Sequence, residues 1–132
     1  MIQLNERSLL PLYEQIVQQM KELIAKGVLQ EGDKIPSVRE LSAQLLVNPN
    51  TVAKSFQELE RQGIIVTLRG KGTFVAKRAA APGMERERIE QLQAELRHVV
   101  VEARHLGIGR EQFIAWAEDE WKRFGGETDV NG

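Results

Sequence analysis

Two helix-start signals stand close together near the middle of this chain, and their spacing limits the fold more than any other feature. Ser37 and Glu40 have the S-x-x-E spacing of a capping box, in which each side chain satisfies a backbone amide of the other residue. Asn48-Pro49 follows: a favoured cap, then a proline at the first helical position, where its missing N–H had no partner to lose. A helix opening at Ser37 must therefore be short, ending near Leu46, and a third helix begins at once. Val38, Leu41 and Leu45 face inward on the short helix, and Val52, Phe56 and Leu59 form a buried stripe on the next, which Gly63 ends.

The flanks complete a small domain. Tyr13, Ile16, Val17, Met20, Leu23 and Ile24 fall at helical spacing between Pro11 and Lys26, with Pro11 suited to a first turn and Gly27 to the residue past the end. Gly32-Asp33 reads as a turn. Downstream, the β-rich runs Ile64-Ile65-Val66 and Thr73-Phe74-Val75 flank Leu68-Arg69-Gly70-Lys71-Gly72 and predict a hairpin. Helix, short helix, helix and hairpin make an α+β winged helix-turn-helix over residues 1–76.

Residues 77–83 (KRAAAPG) read as a linker in which Pro82-Gly83 breaks any helix. Beyond it, Ile89, Leu92, Leu96, Val99, Ala103 and Leu106 are spaced alternately three and four apart, a heptad seam on a helix from Met84 to Leu106. Gly107-Ile108-Gly109 turns the chain, and Arg110 to Phe124 carries Phe113, Trp116, Ala117, Trp121 and Phe124 along one side. A hairpin of two helices cannot bury this surface by itself, so residues 84–124 are expected to form a homodimer; folding back onto the first domain is the alternative. Residues 125–132 read as a disordered tail.

Composition narrows the function classes. The 132 residues contain no Cys, which excludes disulfides, thiolate nucleophiles and Cys-based zinc sites. No apolar run approaches the roughly 18 residues that cross a bilayer, and no secretory signal opens the chain, so a cytoplasmic protein without membrane contact is expected. No Ser-His-Asp spacing and no glycine-rich phosphate loop are present, so no enzyme and no cofactor are expected. The net charge of −1 conceals an asymmetry: residues 1–78 hold 11 Lys/Arg against 8 Asp/Glu, and residues 79–132 hold 7 against 11. Within 34–77 the balance is 7 to 3, which suits an anionic partner.

Double-stranded DNA is the expected partner, with a plain solvated polar face on the third helix and a solvated turn in the hairpin as the alternatives. With Val52 at the centre of the buried face, about 100° per residue puts Asn50, Lys54, Gln57 and Arg61 on the opposite side. The N-terminal residues of such a helix meet base edges in the major groove. Asn50 suits a bidentate pair with adenine, Thr51 a phosphate or a thymine methyl, and Lys54 guanine or phosphate; Arg61 is expected to meet backbone. Arg39, in the first turn of the short helix, suits guanine or phosphate, with an ion pair to Glu40 as the bland alternative. Arg69 and Lys71 around Gly70 suit close approach to the DNA backbone or minor groove. Ser37 and Asn48, at the two helix heads, complete the candidate set. The competing use of this fold is protein–protein contact, in which random duplex would not be bound even at low salt.

The run Gly32-Asp33-Lys34-Ile35-Pro36-Ser37-Val38-Arg39-Glu40-Leu41, then Val47-Asn48-Pro49-Asn50-Thr51-Val52, Leu59-Glu60-Arg61-Gln62-Gly63-Ile64 and Arg69-Gly70-Lys71-Gly72-Thr73-Phe74-Val75 resembles the GntR family of bacterial transcription regulators. Pro11-Leu12-Tyr13-Glu14-Gln15-Ile16 fits too, so the resemblance covers about residues 8–76. Where Pro49 and Ala53 stand, the better-known branch carries Arg; the N-P-N-T-V form and the two-helix tail are similar to the YtrA subfamily. The resemblance implies a dimeric repressor on a palindromic operator, often near ABC transporter genes. It also implies DNA contact at Arg39, at Asn50 and Thr51 of the recognition helix, and at Gly70 and Lys71 of the wing tip. Length excludes a large effector or aminotransferase domain.

Two features of the tail have other uses to weigh. His98, Glu102 and His105 share a helix face, but the two His lie roughly 10 Å apart along the axis, too far for one ion without a partner helix, so no metal is expected. Met84, Trp116 and Trp121 would make either an apolar pocket for a small-molecule effector or plain interface packing. An effector that changed the angle between two domains through the 77–83 linker would spoil half-site spacing.

Overall fold

The computed structural model describes residues 2–77 and 82–125. It orders them as α1 (Leu12–Ala25), β1 (Lys34–Ile35), α2 (Val38–Leu45), α3 (Pro49–Arg61), β2 (Ile65–Leu68), β3 (Gly72–Val75), α4 (Pro82–His105) and α5 (Arg110–Gly125). The chain divides into two units after residue 78.

Both helix starts form as the sequence predicts. At α2, Ser37 Oγ accepts the Glu40 amide at 3.1 Å, and Glu40 Oε1 accepts the Ser37 amide at 3.0 Å. At α3, Asn48 Oδ1 accepts the Asn50 amide at 2.8 Å, with Pro49 behind it. The stops differ. Past α1, Gly27 sits at φ 81° and its neighbour Val28 donates back to the Leu23 carbonyl at 2.9 Å, an αL termination that glycine makes cheap. The corner between α2 and α3 uses Leu46 instead, at φ 56° and almost fully exposed. Among the described residues no other non-glycine has a positive φ.

The core of the first unit is one cluster: Ile16, Val17 and Met20 of α1, Leu41 of α2, Val52, Phe56 and Leu59 of α3, with Ile35, Ile65 and Val75 of the sheet. α3 is the hub, packed on α1, α2 and β2. Ser55 is wholly buried within it. Its hydroxyl, at 2.9 Å from the Tyr13 carbonyl and 3.0 Å from the Thr51 carbonyl, ties α3 to the head of α1 without leaving a buried polar atom unmet.

Two features go beyond the sequence reading. The wing is a three-stranded sheet in the order β1-β3-β2 and not a plain hairpin: Lys34 and Ile35, read as following a turn, pair antiparallel with Phe74 and Thr73. Residues 2–10 are also tied down, by glutamine side chains of α1. Gln15, 6% exposed, accepts the Asn5 amide at 2.8 Å and donates to the Asn5 and Leu10 carbonyls; Gln19 does the same for both backbone groups of Gln3.

In the second unit, α4 begins at Pro82, so Pro82 and Gly83 form its first turn and do not break it. Proline is tolerated there for the reason given at Pro49. Residues 78–81, most of the expected linker, and 126–132, nearly all of the expected tail, lie outside the described residues, as does the side chain of Met84. Among the described residues of this unit Ala103 alone is buried. Phe113 and Phe124 are half-buried. Ile89, Leu92, Leu96, Val99, Leu106, Trp116 and Trp121 are all exposed, Leu96 at 55% and Trp121 at 67%. Most of the seam, and both tryptophans of α5, therefore stand uncovered within this unit.

Candidate nucleic-acid interface

The heads of α2 and α3 and the turn of the wing carry the candidate residues, and local bonding decides which of their groups are free. At α2 the capping box turns the Ser37 hydroxyl towards Glu40, whose amide it accepts. It also consumes Glu40, whose carboxyl is held below its ordinary value by hydrogen bonds from the Ser37 amide and hydroxyl. Arg39 is exposed, and among the described residues its guanidinium makes neither a hydrogen bond nor an ion pair; the anticipated partner, Glu40, is turned to its own helix head.

At α3, Asn48 spends its carbonyl oxygen on the cap, so its amide NH2 faces solvent as a donor. Asn50 is exposed one residue inside the helix, and Thr51 is half-buried. Lys54 is exposed, but its ammonium rests 4.0 Å from the centroid of the Tyr13 ring, a cation–π contact with α1. A step of about 100° per residue fixed the face on which Lys54 lies but not this rotamer.

Arg61 is engaged within the free protein. It was expected to meet DNA backbone, yet its guanidinium grips Glu58 through two hydrogen bonds, Nε to Oε1 at 3.0 Å and Nη2 to Oε2 at 2.5 Å. That pairing, helped by a hydrogen bond from Gln62, lowers the Glu58 carboxyl to about 2. Because the folded value lies below the ordinary 4.5, ionised Glu58 stabilises the fold above that value, and the contribution is lost as pH falls towards about 2. Glu58→Gln should therefore lower the melting temperature by about 3–5 °C at neutral pH, with the gap to wild type closing as the solution is acidified below about pH 4. Thermal melts across that range test this; a gap that widened in acid would contradict it.

The wing turn presents Arg69, Gly70 and Lys71, all exposed. The Lys71 amide closes the turn onto the Leu68 carbonyl at 2.9 Å, and Gly70 takes φ 77° at the tip, where no atom lies within 4 Å of an added Cβ. Nothing of the protein crowds this tip, which suits approach to a second molecule. In the second unit, His98, Glu102 and His105 are exposed, and among the described residues no group of three His, Cys, Asp or Glu could hold a metal ion. Among the described residues no helix is long and apolar enough to cross a membrane.

Comparison with known proteins agrees with this geometry. The model of the bacterial regulatory proteins of the gntR family matches residues 12–75. The HTH-type transcriptional repressor YtrA of Bacillus subtilis (strain 168) is 44% identical over 119 residues, covering 90% of this chain and 91% of that relative. Among solved structures, a transcriptional antiterminator from Listeria monocytogenes EGD-e superposes with a TM-score of 0.87 at 41% identity, covering 96% of this chain and 93% of that one. The DNA-binding domain of AraR, solved in complex with operator ORE1, superposes with a TM-score of 0.50 at 33% identity over 58% of this chain and 93% of that one. The chain belongs to the GntR family: it is a winged helix-turn-helix transcription regulator of the YtrA type, built to bind DNA and not to catalyse a reaction.

Proposed function

We propose that this protein is a repressor that binds a palindromic operator as a homodimer. The head of α3 enters the major groove, Arg39 contacts a base edge from the head of α2, and the wing lies on the backbone. The observation that carries this reading is the state of Arg39: a guanidinium at a helix head with no ion pair among the described residues, its acidic neighbour Glu40 being bonded to the capping serine. Ser37, Asn48, Asn50, Thr51, Arg69, Gly70 and Lys71 contribute donors or close approach around it, and Lys54 joins them by leaving the Tyr13 ring. Support for the dimer is the uncovered apolar surface of α4 and α5. Support for repression is the resemblance along nearly the whole chain to the Bacillus YtrA repressor, and genes of an ABC transporter are the regulated class that the subfamily resemblance implies. The protein then works in the cytoplasm, where its DNA is. An effector that sets the spacing of the two DNA-binding units is a further part of this reading.

Selecting bound duplexes from a randomised pool tests it. The expected product is an inverted repeat whose half-sites lie about one helical turn apart, bound by two protomers. Enrichment of a single, asymmetric site bound by one chain would overturn the dimeric reading.

A further inference from the structure

We propose that Lys34, on the edge strand of the wing, is a further contact to DNA phosphate, positioned by Gly72. The inference rests on the DNA-binding reading above. Lys34 belongs to β1, a strand of two residues paired with β3, and its side chain is exposed. That side chain runs back over the start of β3: a Cβ placed on Gly72 would lie 2.8 Å from Lys34 Cε and 3.4 Å from Nζ. Gly72, at φ 126°, thus provides a bare stretch of backbone that the lysine stem crosses, and any larger residue would push the stem aside. The ammonium is thereby brought to the base of the turn that carries Arg69 and Lys71.

Two acids near Lys34 in sequence are hydrogen-bonded to backbone amides. Asp33 Oδ2 accepts the Gln30 amide at 2.8 Å, and Glu40 Oε1 accepts the Ser37 amide at 3.0 Å. The charge of Lys34 also favours the ionised form of Glu40. Lys34 therefore stands beside the wing turn that carries Arg69 and Lys71. A polyanion lying on that turn would pass close to it. Lysine meets phosphate as a point charge, without the planar geometry that reads a base edge, so the contact adds affinity and no sequence preference.

The test is a titration of random-sequence duplex DNA from about 50 to about 200 mM salt with wild type, Lys34→Gln and Lys34→Arg. Lys34→Gln keeps a polar stem but removes the charge. It is expected to bind roughly five- to tenfold more weakly at the low-salt end, with a salt slope shallower by about 0.9 for each protomer engaged. Lys34→Arg should retain both affinity and slope. The side chain is exposed, so the thermal melts of all three proteins should coincide. If Lys34→Gln bound with unchanged affinity and slope, or if Lys34→Arg were as weak as Lys34→Gln, the proposal would be overturned. A wild type that bound neither random nor selected duplex would instead overturn the DNA-binding reading itself, a result that cannot be mistaken for the other two.

Discussion

Leu96→Asp should turn a dimer into a monomer and lower operator affinity by at least about a hundredfold. Leu96 lies mid-way along the seam of α4, between Leu92 and Val99, and is 55% exposed in the single chain. A second copy laid against that seam would bury it among apolar groups, and a carboxylate there would have neither water nor a partner charge. Within one protomer the same substitution costs little, because the position already faces water. Far-UV circular dichroism should therefore be unchanged while light scattering reports half the mass. The loss on DNA follows from valency. Two half-sites held by one dimer act together, whereas separate protomers must each be captured from solution. Persistence of the dimer would mean that other apolar residues form the contact. A wild type already monomeric at high concentration would favour the alternative in which the seam folds onto its own first domain.

Arg39→Ala should weaken operator binding by about 1–3 kcal/mol, roughly five- to 150-fold, with the loss concentrated at one or two base pairs. The guanidinium offers a planar fork that fits the O6/N7 edge of guanine, and among the described residues nothing competes for it, so little has to be broken before it binds. Its backbone is fixed by the capping box two residues earlier, which truncation of the side chain leaves in place. Binding measured on the selected operator, on single-base variants and on scrambled duplex separates the two roles. Equal loss on all three would show that Arg39 touches phosphate alone.

How much of this was legible in the sequence depends on the range of the interaction concerned. The caps at Ser37 and Asn48 are local chemistry, decided within three residues, and the structure places them where the spacing predicted. The stripes Ile16-Val17-Met20 and Val52-Phe56-Leu59 are periodic and equally plain. β1 was hidden because two residues have no period, and its pairing partner lies some forty positions downstream. Lys34 was missed with it. The commitment of Lys54 to Tyr13 and of Arg61 to Glu58 is a matter of rotamers, which helical geometry does not fix. α4 begins earlier than expected because a proline followed by glycine suggests a break as readily as a first turn.

The clamp that Gln15 and Gln19 place on residues 3–10 changes how the start of this chain is to be regarded. Two carboxamides act there as a surrogate strand edge, offering donor and acceptor to a segment that has no sheet to join. Trimming that segment for convenience would strip the partners from a carboxamide that water scarcely reaches, and the damage would be felt in the helix that braces the recognition element. The opening residues are thus a wall of the domain, not its packaging.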